Sequence, residues 1–412
     1  MKILKKIKSI ITNNAPVSRK YFNKQIKNYH DKKINLEKQL TDVSLLIKDL
    51  SNKVDNLEKN IIENINKRED DLRKFIINNY EKKYESFIDN ERQKQEKEKL
   101  FANIKWQAKG KRIWIIKTAI PNNDYGKLWG DYYFALSLKK NLEKLNVFVL
   151  IDNRENLYEG LDNDVTLVLR GNNYYIPDRR TNNAKYILWN ISHPSEVSIE
   201  EYNMYDIVCV GSIKYADILK TKIDVPVYPL LQCTDTDIFY PDNNKKRKKY
   251  DYIFVGNTRG IKRECVDWAL NNNVDISVWG KGWEKCFDNY NDFLVSDHIL
   301  NDNLPNLYNS SKVTFNDHWQ DMKDYNFINN RIFDALACGL PIISDYVSEL
   351  EELFGDVILI YKNEKEFIEC INKVNKDYKS IRKKILDKGT LIRKKYSFEA
   401  RAKELLEIAE RK

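Results

Sequence analysis

The chain has 412 residues, of which 42% are hydrophobic and 32% are charged, enough for about two or three packed domains under a well-solvated surface. Its 70 Lys and Arg against 61 Asp and Glu give a net charge of +9, which is compatible with anionic membranes, phosphorylated substrates or nucleic acid and selects none of them. No run of about 18 uncharged apolar residues occurs, which excludes a conventional transmembrane helix.

The N-terminal segment, residues 1–30, begins with alternating apolar and basic residues. Apolar side chains stand at helical spacing between lysines at Ile3, Leu4, Ile7, Ile10 and Ile11. The pattern predicts a short basic amphipathic helix over residues 1–12, which either lies on an anionic bilayer surface or packs as an ordinary first helix. Because lysines interrupt the apolar stretch and the cysteines are scattered, we predict no secretory signal, disulfide framework or zinc site. We therefore expect a cytoplasmic protein, which is peripheral on the inner membrane face if residues 1–12 lie on the bilayer.

A heptad pattern follows over the segment 31–108. The apolar positions alternate steps of four and three residues: Leu36, Leu40, Val43, Ile47, Leu50, Val54, Leu57 and Ile61. Such a seam predicts a coiled coil, and its mixture of β-branched residues and leucine favours a parallel dimer. Neither Pro nor Gly occurs between Ser18 and Lys109, so the pattern allows one long helix. We predict an oligomerisation stalk; the alternative is an amphipathic helix folded back on the globular part.

The remaining chain alternates short apolar runs with amphipathic helices, which predicts parallel α/β sheets covered on both faces. Six strands are predicted in a first lobe, 109–245, and five in a second lobe, 246–395, after a basic linker at Asn243–Tyr250. A last helix, 396–412, completes the chain. In sheets of this type ligands bind beyond the carboxyl ends of the strands, here in the cleft between the lobes.

The most informative stretch is Asp324–Asp345, where a polar turn leads into a helix and then a strand. The turn contains Asn329 and Asn330, and the helix contains Arg331 and Asp334. A helix N-terminus that points into a cleft offers free N–H groups and a positive dipole end to a phosphate. Asp334, one to two turns into the helix, is placed to accept hydrogen bonds from ribose hydroxyls.

This stretch resembles the donor-site segment of GT-B glycosyltransferases, in particular the group 1-like branch related to spore-maturation glycosyltransferases. In that family two acidic residues separated by seven others precede an Ala-rich helix, Gly-x-Pro and a strand. The second acidic position falls on Asp334, which the resemblance assigns to the ribose, and the first falls on Asn326, an amide. The resemblance also implies that Asn329, Asn330 and Arg331 cradle the distal phosphate. It suggests two Rossmann-like lobes and retention of anomeric configuration; Asn326 leaves inversion open.

A second match covers Tyr250–Glu264, a strand that ends at Gly256 and is followed by cations. The family places a basic residue here against the donor pyrophosphate, which implies this role for Lys262, with Arg259 replacing an arginine that many relatives have at the position of Asn257. Fixed cations stabilise the charge of the departing nucleoside diphosphate. Because no Asp-x-Asp motif follows a predicted strand in this lobe, we predict a reaction without metal or other cofactor.

In the first lobe the resemblance directs attention to two loops after strands. The loop and helix start with Gly126, Gly130, Asp131 and Tyr132 would approach the acceptor; the alternative is an ordinary strand–helix turn. After a later strand, His193 or Glu196 is the candidate catalytic base, although a lone histidine is more often structural than catalytic.

Two functions remain open from the sequence. The first is a metal-independent glycosyltransferase that uses a nucleotide-diphosphate sugar and a glycan or lipid-linked acceptor, in cell-surface polysaccharide or glycoconjugate synthesis. The second is a coiled-coil scaffold whose α/β part binds a nucleotide or glycan without catalysis, which Asn326 supports. Nucleic-acid binding through Lys245–Lys249 is not expected, because this basic run falls in the linker between the lobes.

Overall fold

The computed structural model describes residues 19–51, 58–172, 174–177, 179, 183–242 and 249–411. The amphipathic helix predicted over residues 1–12 and the basic residues 245–248 lie outside these ranges. The chain forms two compact units, residues 1–100 and residues 101–412.

The first unit consists of helix α1, Arg19–Ser51, and most of helix α2, Glu58–Ala108. The rings of Tyr29 in α1 and Tyr80 in α2 lie with their centroids 4.0 Å apart. In one continuous helix these tyrosines would be separated by roughly 75 Å, at about 1.5 Å per residue. The interpretation as one long helix is therefore wrong, because α1 and α2 pack side by side. Oligomerisation through this segment stays a prediction.

The second unit contains two parallel six-stranded sheets, which confirms the predicted two-lobed α/β class. The strands of the first lobe lie in the order β2-β1-β3-β4-β5-β6. They are β1 Arg112–Lys117, β2 Val147–Asp152, β3 Val165–Arg170, β4 Lys185–Asn190, β5 Ile207–Val210 and β6 Val227–Pro229. The helices between them are α3 Gly130–Lys144, α4 Ile199–Tyr202 and α5 Ile213–Leu219. The β-branched and aromatic residues of these strands form the sheet because both of its faces are buried.

The strands of the second lobe lie in the order β12-β11-β10-β7-β8-β9. They are β7 Tyr250–Val255, β8 Ile276–Trp279, β9 Leu294–Ser296, β10 Ser311–Asn316, β11 Ile342–Asp345 and β12 Leu359–Tyr361. The helices are α6 Glu264–Asn271, α7 Leu304–Ser310, α8 Gln320–Asp324, α9 Asn330–Ala337, α10 Ser348–Phe354, α11 Glu364–Lys395 and, at the end of the chain, α12 Phe398–Glu410. All five strands predicted for this lobe are present; the edge strand β9 was not predicted, because it is short and no residue of it is fully buried, so it lacks a continuous apolar run.

The last helix, α12, packs on the first lobe although it follows the second in sequence. Phe398, Ala402 and Leu405 belong to the hydrophobic core under β1–β5. The ring of Phe398 lies 4.7 Å from that of Phe134 in α3. This packing ties the end of the chain to the first sheet.

Two further contacts join the lobes. Phe327, which follows α8, is buried in a first-lobe cluster against Tyr215 and close to Gly211. Glu349 at the start of α10 accepts hydrogen bonds from the Ser212 hydroxyl at 2.8 Å and from the backbone N–H of Ile213 at 2.9 Å. The carboxyl ends of both sheets therefore meet at one shared cleft. Within the described ranges, no helix combines the length and apolarity needed to cross a bilayer.

Candidate functional site

The cleft is shaped on the second-lobe side by the loops that follow β7 and β8. A Cβ on Gly280 would stand 2.1 Å from the carbonyl oxygen of Gly256, and Gly280 has φ 145°, so this close approach requires glycine. The side-chain carbonyl of Asn257 accepts a hydrogen bond from the N–H of Lys281 at 2.8 Å, which fastens the two loops together. The predicted residues therefore shape the cleft, Gly256 with its backbone and Asn257 with its side-chain amide.

A pocket of about 290 Å³ opens between these loops and the first lobe. Leu128, Gly130 and Tyr133 line it from the first lobe, whereas its second-lobe wall consists of Val255, Gly256, Asn257, Trp279, Gly280, Asp297, His298, Ile299, Asn301 and Leu304. An indole, a phenol and a few polar groups around a concave space suit a planar heterocycle and a sugar.

Three arginines come together beside this pocket. Arg263 pairs with Asp317 at the end of β10, Arg259 lies 3.9 Å from the same carboxylate, and the Arg331 Nη1 donates to the side-chain carbonyl of Asn316 at 2.8 Å. Burial lowers the pKa of Arg259 to about 10 and that of Arg263 to about 9, and neighbouring guanidinium groups of the cluster add to both effects. Arg259 and Arg263 are therefore still charged at neutral pH, and burial lowers the pKa of Arg331 as well.

The charges of the cluster are unbalanced in a way that favours an anion. Asp317 pairs with Arg263 and lies near Arg259, and the next carboxylate, Asp345, is committed to His318: its oxygens accept from the His318 N–H at 2.9 Å and lie 2.6 Å from the ring Nδ1. Desolvated cations that repel one another are stabilised when an anion enters between them. The cluster can thus bind a diphosphate.

Helix α9 begins at the same edge of the sheet. The Asn329 side chain donates to the carbonyl of Asp317 at 3.0 Å, and Asn330 donates to Asp334 at 2.8 Å. The side-chain oxygens of both asparagines are buried without a hydrogen-bond partner in the described part of the chain. The first turn of α9 thus presents its N–H groups and unsatisfied polar atoms beside the arginines.

Asp334 lies in the second turn of α9 and is only 6% exposed. Burial raises the pKa of its carboxyl to about 7, an effect opposed by the nearby Thr234 hydroxyl and by the hydrogen bond from Asn330. Thr234 belongs to the connection that leaves the first lobe after β6, so this carboxyl faces the junction of the two lobes.

We expect the free energy of unfolding of wild type to fall, relative to that of Asp334→Asn, as the pH rises from 5 to 8. With its pKa at about 7 against roughly 3.9 when unfolded, the native carboxyl binds more protons than the unfolded one between these values, so wild-type stability falls as pH rises through that window. The full effect corresponds to at most roughly 4 kcal/mol. Urea unfolding at both pH values measures it; an equal difference at pH 5 and pH 8 would contradict the raised pKa.

On the first-lobe side, His193 follows β4 in the left-handed conformation, with φ 51°. Its Nδ1 lies 3.9 Å from Glu196 and 3.8 Å from Asp321 of α8, and its ring lies 5.3 Å from that of Trp319. The histidine therefore stands where the lobes meet, whereas Glu196 is more exposed.

Asp131 lies near this histidine at the start of α3. A Cβ on Gly171, after β3, would come within 3.6 Å of its Oδ2. Burial raises the pKa of Asp131, and His193 opposes this shift.

The other predicted acceptor residues have separate surroundings. Gly130 lines the pocket, and Tyr132 packs edge-on against Tyr133 with ring centroids 5.3 Å apart. Gly126 is buried, and a Cβ there would stand 2.0 Å from the Pro121 carbonyl oxygen, so it serves the turn itself.

Two of the predicted residues lie apart from the cluster. The Lys262 ammonium lies over the ring of Phe287 at 4.8 Å and 3.5 Å from Asp267, on the outer side of the loop. Asn326 has φ 62°, a conformation that asparagine tolerates, in the turn after α8. The sequence placed Arg263 among the cations after β7 but favoured Lys262 for the pyrophosphate, and it gave no role to Trp319. Arg263 stands next to Lys262, and only the structure shows which of the two side chains turns inward.

Comparisons with known proteins agree with this architecture. A family model described as glycosyl transferase-like matches residues 259–407. Sucrose-phosphate synthase from Thermosynechococcus elongatus superposes with a TM-score of 0.52 at 13% identity, covering 72% of this chain and 98% of that one. A glycosyltransferase involved in avilamycin A biosynthesis gives 0.52 at 14% identity, covering 73% and 97%. No curated protein sequence matches significantly.

A third solved structure, the UDP-forming trehalose-phosphate synthase from Burkholderia xenovorans in complex with glucose-6-phosphate, gives a TM-score of 0.51 at 8% identity, covering 73% of this chain and all of that one. The second unit therefore has the two-lobed GT-B fold. At these identities the likeness shows the fold, and the arginine cluster at the cleft is this chain's own evidence about its ligand.

Proposed function

We propose that the chain is a glycosyltransferase that moves a sugar from a nucleotide-diphosphate sugar to a glycan or lipid-linked glycan, in cell-surface polysaccharide or glycoconjugate synthesis. The observation that carries the proposal is the cluster of three arginines at the carboxyl ends of β7 and β10, where Arg259 and Arg263 lie against Asp317 and Arg331 donates to the neighbouring Asn316. This cluster stands beside a pocket to which both lobes contribute.

In this proposal each side of the cleft has its own task. The donor diphosphate rests between the arginines and the first turn of α9, with Asn329 and Asn330 beside it, and Asp334 binds the ribose. The pocket at Trp279 takes the nucleobase. The arginines supply the positive charge that the departing diphosphate needs, which supports a reaction without metal.

The acceptor enters from the first lobe, past Gly130, Asp131 and Tyr132. His193 and Glu196 are the candidate bases for a reaction that inverts the anomeric carbon. The resemblance to the group 1-like branch favours retention instead, with Asn326 facing the transferred sugar. Proton NMR of the anomeric signal in the first product formed distinguishes the two outcomes.

The test is product formation from UDP-, GDP-, dTDP- and CMP-linked sugars with glycan and lipid-linked acceptors, with and without EDTA. We expect transfer with one donor class, unchanged by EDTA. Activity that EDTA abolishes and Mg²⁺ restores would overturn the metal-independent part. Tight nucleotide binding without transfer or donor hydrolysis would favour the scaffold, the function that Asn326 in place of an acid supports.

We further propose that the segment 31–108 makes the protein a dimer and that residues 1–12 contact the membrane face. Exposed apolar side chains on α2 support association, Phe75 being 66% exposed. Lysines between apolar residues support contact with anionic lipid. Light scattering of the full chain against residues 101–412 tests the first point, and vesicle sedimentation with and without residues 1–12 tests the second.

A further inference from the structure

Trp319, directly after β10 and before α8, has an unusual environment for a tryptophan. Its side chain is 39% exposed, whereas Trp114, Trp189 and Trp283 are fully buried. The backbone before it is held firmly, because Asp317 pairs with Arg263 and His318 is bound by Asp345. The indole of Trp319 therefore lies outside the hydrophobic core on a fixed backbone, and it contacts residues of both lobes.

The first contact is Arg259, whose guanidinium carbon lies over the indole at 4.1 Å from the ring centroid. The Asp317 carboxylate is 3.9 Å from this guanidinium, at the limit of an ion pair. A carboxylate held closely would occupy the N–H groups of an arginine, whereas an aromatic face orients the guanidinium and leaves those N–H groups available. Trp319 therefore holds Arg259 in a form that is ready to bind phosphate oxygens.

The second contact crosses to the first lobe. The His193 ring lies 5.3 Å from the indole with an angle of 60° between the planes. The loop that contains His193 is also bound to α8, because the Ser195 hydroxyl donates a hydrogen bond to the Asp321 carboxylate at 3.1 Å. One side chain thus contacts both a donor-side cation and the acceptor-side histidine.

We propose that Trp319 is a positioning residue for sugar transfer, which orients Arg259 toward the donor diphosphate and His193 toward the acceptor through one indole. The inference rests on the proposed function and adds a coupling between donor binding at Arg259 and acceptor binding at His193. When a diphosphate binds Arg259, the guanidinium becomes fixed against the indole. The fixed indole then limits the positions that the His193 ring can occupy.

Kinetics of Trp319→Leu and Trp319→Phe test the proposal. Leucine removes the aromatic face, and we expect the donor KM to rise about tenfold and kcat to fall about tenfold. Phenylalanine keeps an aromatic face, so it should restore most of both parameters. Trp106→Leu, at a 74% exposed tryptophan of α2, is the matched control and should behave as wild type.

A double-mutant cycle with Arg259→Gln separates coupling from general damage. If Trp319 acts through Arg259, the double variant Arg259→Gln/Trp319→Leu should lose little more donor affinity than Arg259→Gln alone. Additive losses, or a Trp319→Leu enzyme within twofold of wild type in both parameters, would overturn the inference. If Trp319→Leu does not fold, the cycle is run with Trp319→Gln, which also removes the aromatic face, and the same criteria apply. Failure of the proposed function looks different, because wild type itself would then neither transfer nor hydrolyse any donor.

Discussion

Arg331→Gln is expected to lower kcat/KM for the sugar nucleotide by about 100- to 1000-fold, the usual effect of removing one fixed donor from a developing anion. Arg331 is held by Asn316 and lies over the ring of Phe254, with its guanidinium carbon 5.4 Å from the centroid. Its Nη2 is 3.1 Å from the point where a Cβ on Gly256 would stand, so it faces the strand ends. The substitution keeps a polar side chain of similar length while removing the charge.

Two further variants make this result specific. Arg331→Lys keeps the charge without the planar fork, and we expect an intermediate loss of about tenfold. Lys262→Gln removes a cation only a few residues from Arg259 but on the outer side of the loop, and should stay within twofold of wild type. Steady-state kinetics and calorimetric titration with nucleoside diphosphates measure both. A large loss in Lys262→Gln with Arg331→Gln close to wild type would place the diphosphate on Lys262, as the family resemblance implies, and would contradict the arginine cluster.

The second large effect is expected from Glu349→Ala, which should lower the free energy of unfolding by roughly 3–5 kcal/mol. Glu349 is 1% exposed and belongs to the second lobe, yet its carboxylate accepts from the Ser212 hydroxyl and from the N–H groups of Ile213 and Lys214, at 2.8 to 3.0 Å, in the first lobe. Alanine would leave these donors buried and unpaired. Urea unfolding measures the change.

Glu352→Ala is the matched control for this prediction. Glu352 also reaches the first lobe, where it pairs with the side chain of Lys214, but it is exposed to solvent. An exposed ion pair of this type contributes about 0–1 kcal/mol. If both variants lose the same small amount, the buried carboxylate does not hold the lobes together.

The sequence predicted the α/β part well because burial on both faces leaves a continuous apolar run for each strand, as in Val165–Arg170 and Tyr250–Val255. The prediction of one long helix over α1 and α2 was wrong, because the heptad pattern is the same whether the partner helix belongs to the same chain or to another. The packing of Tyr29 on Tyr80 is a tertiary contact without a local signature.

The candidate site was predictable to the level of a loop and not to the level of a side chain. The stretch Arg259–Arg263 contains three cations, of which Arg263 pairs with Asp317 inside the cleft whereas Lys262 lies near Asp267 outside it. No local pattern distinguishes these two neighbours. Trp319 carried no motif, because its role depends on Arg259 and His193, which are distant in sequence. Residues that act through contacts across the cleft become visible only in three dimensions.

The docking of α12 under the first sheet has a consequence for synthesis on the ribosome. The strands of the first lobe end at Pro229, but Ile408, near the end of the chain, belongs to the same core. At about 5–20 residues per second the nascent first lobe waits roughly 10 to 35 s for its last helix, exposing apolar surface to chaperones meanwhile. A premature stop codon within α12 would thus damage the lobe that was encoded far upstream of it.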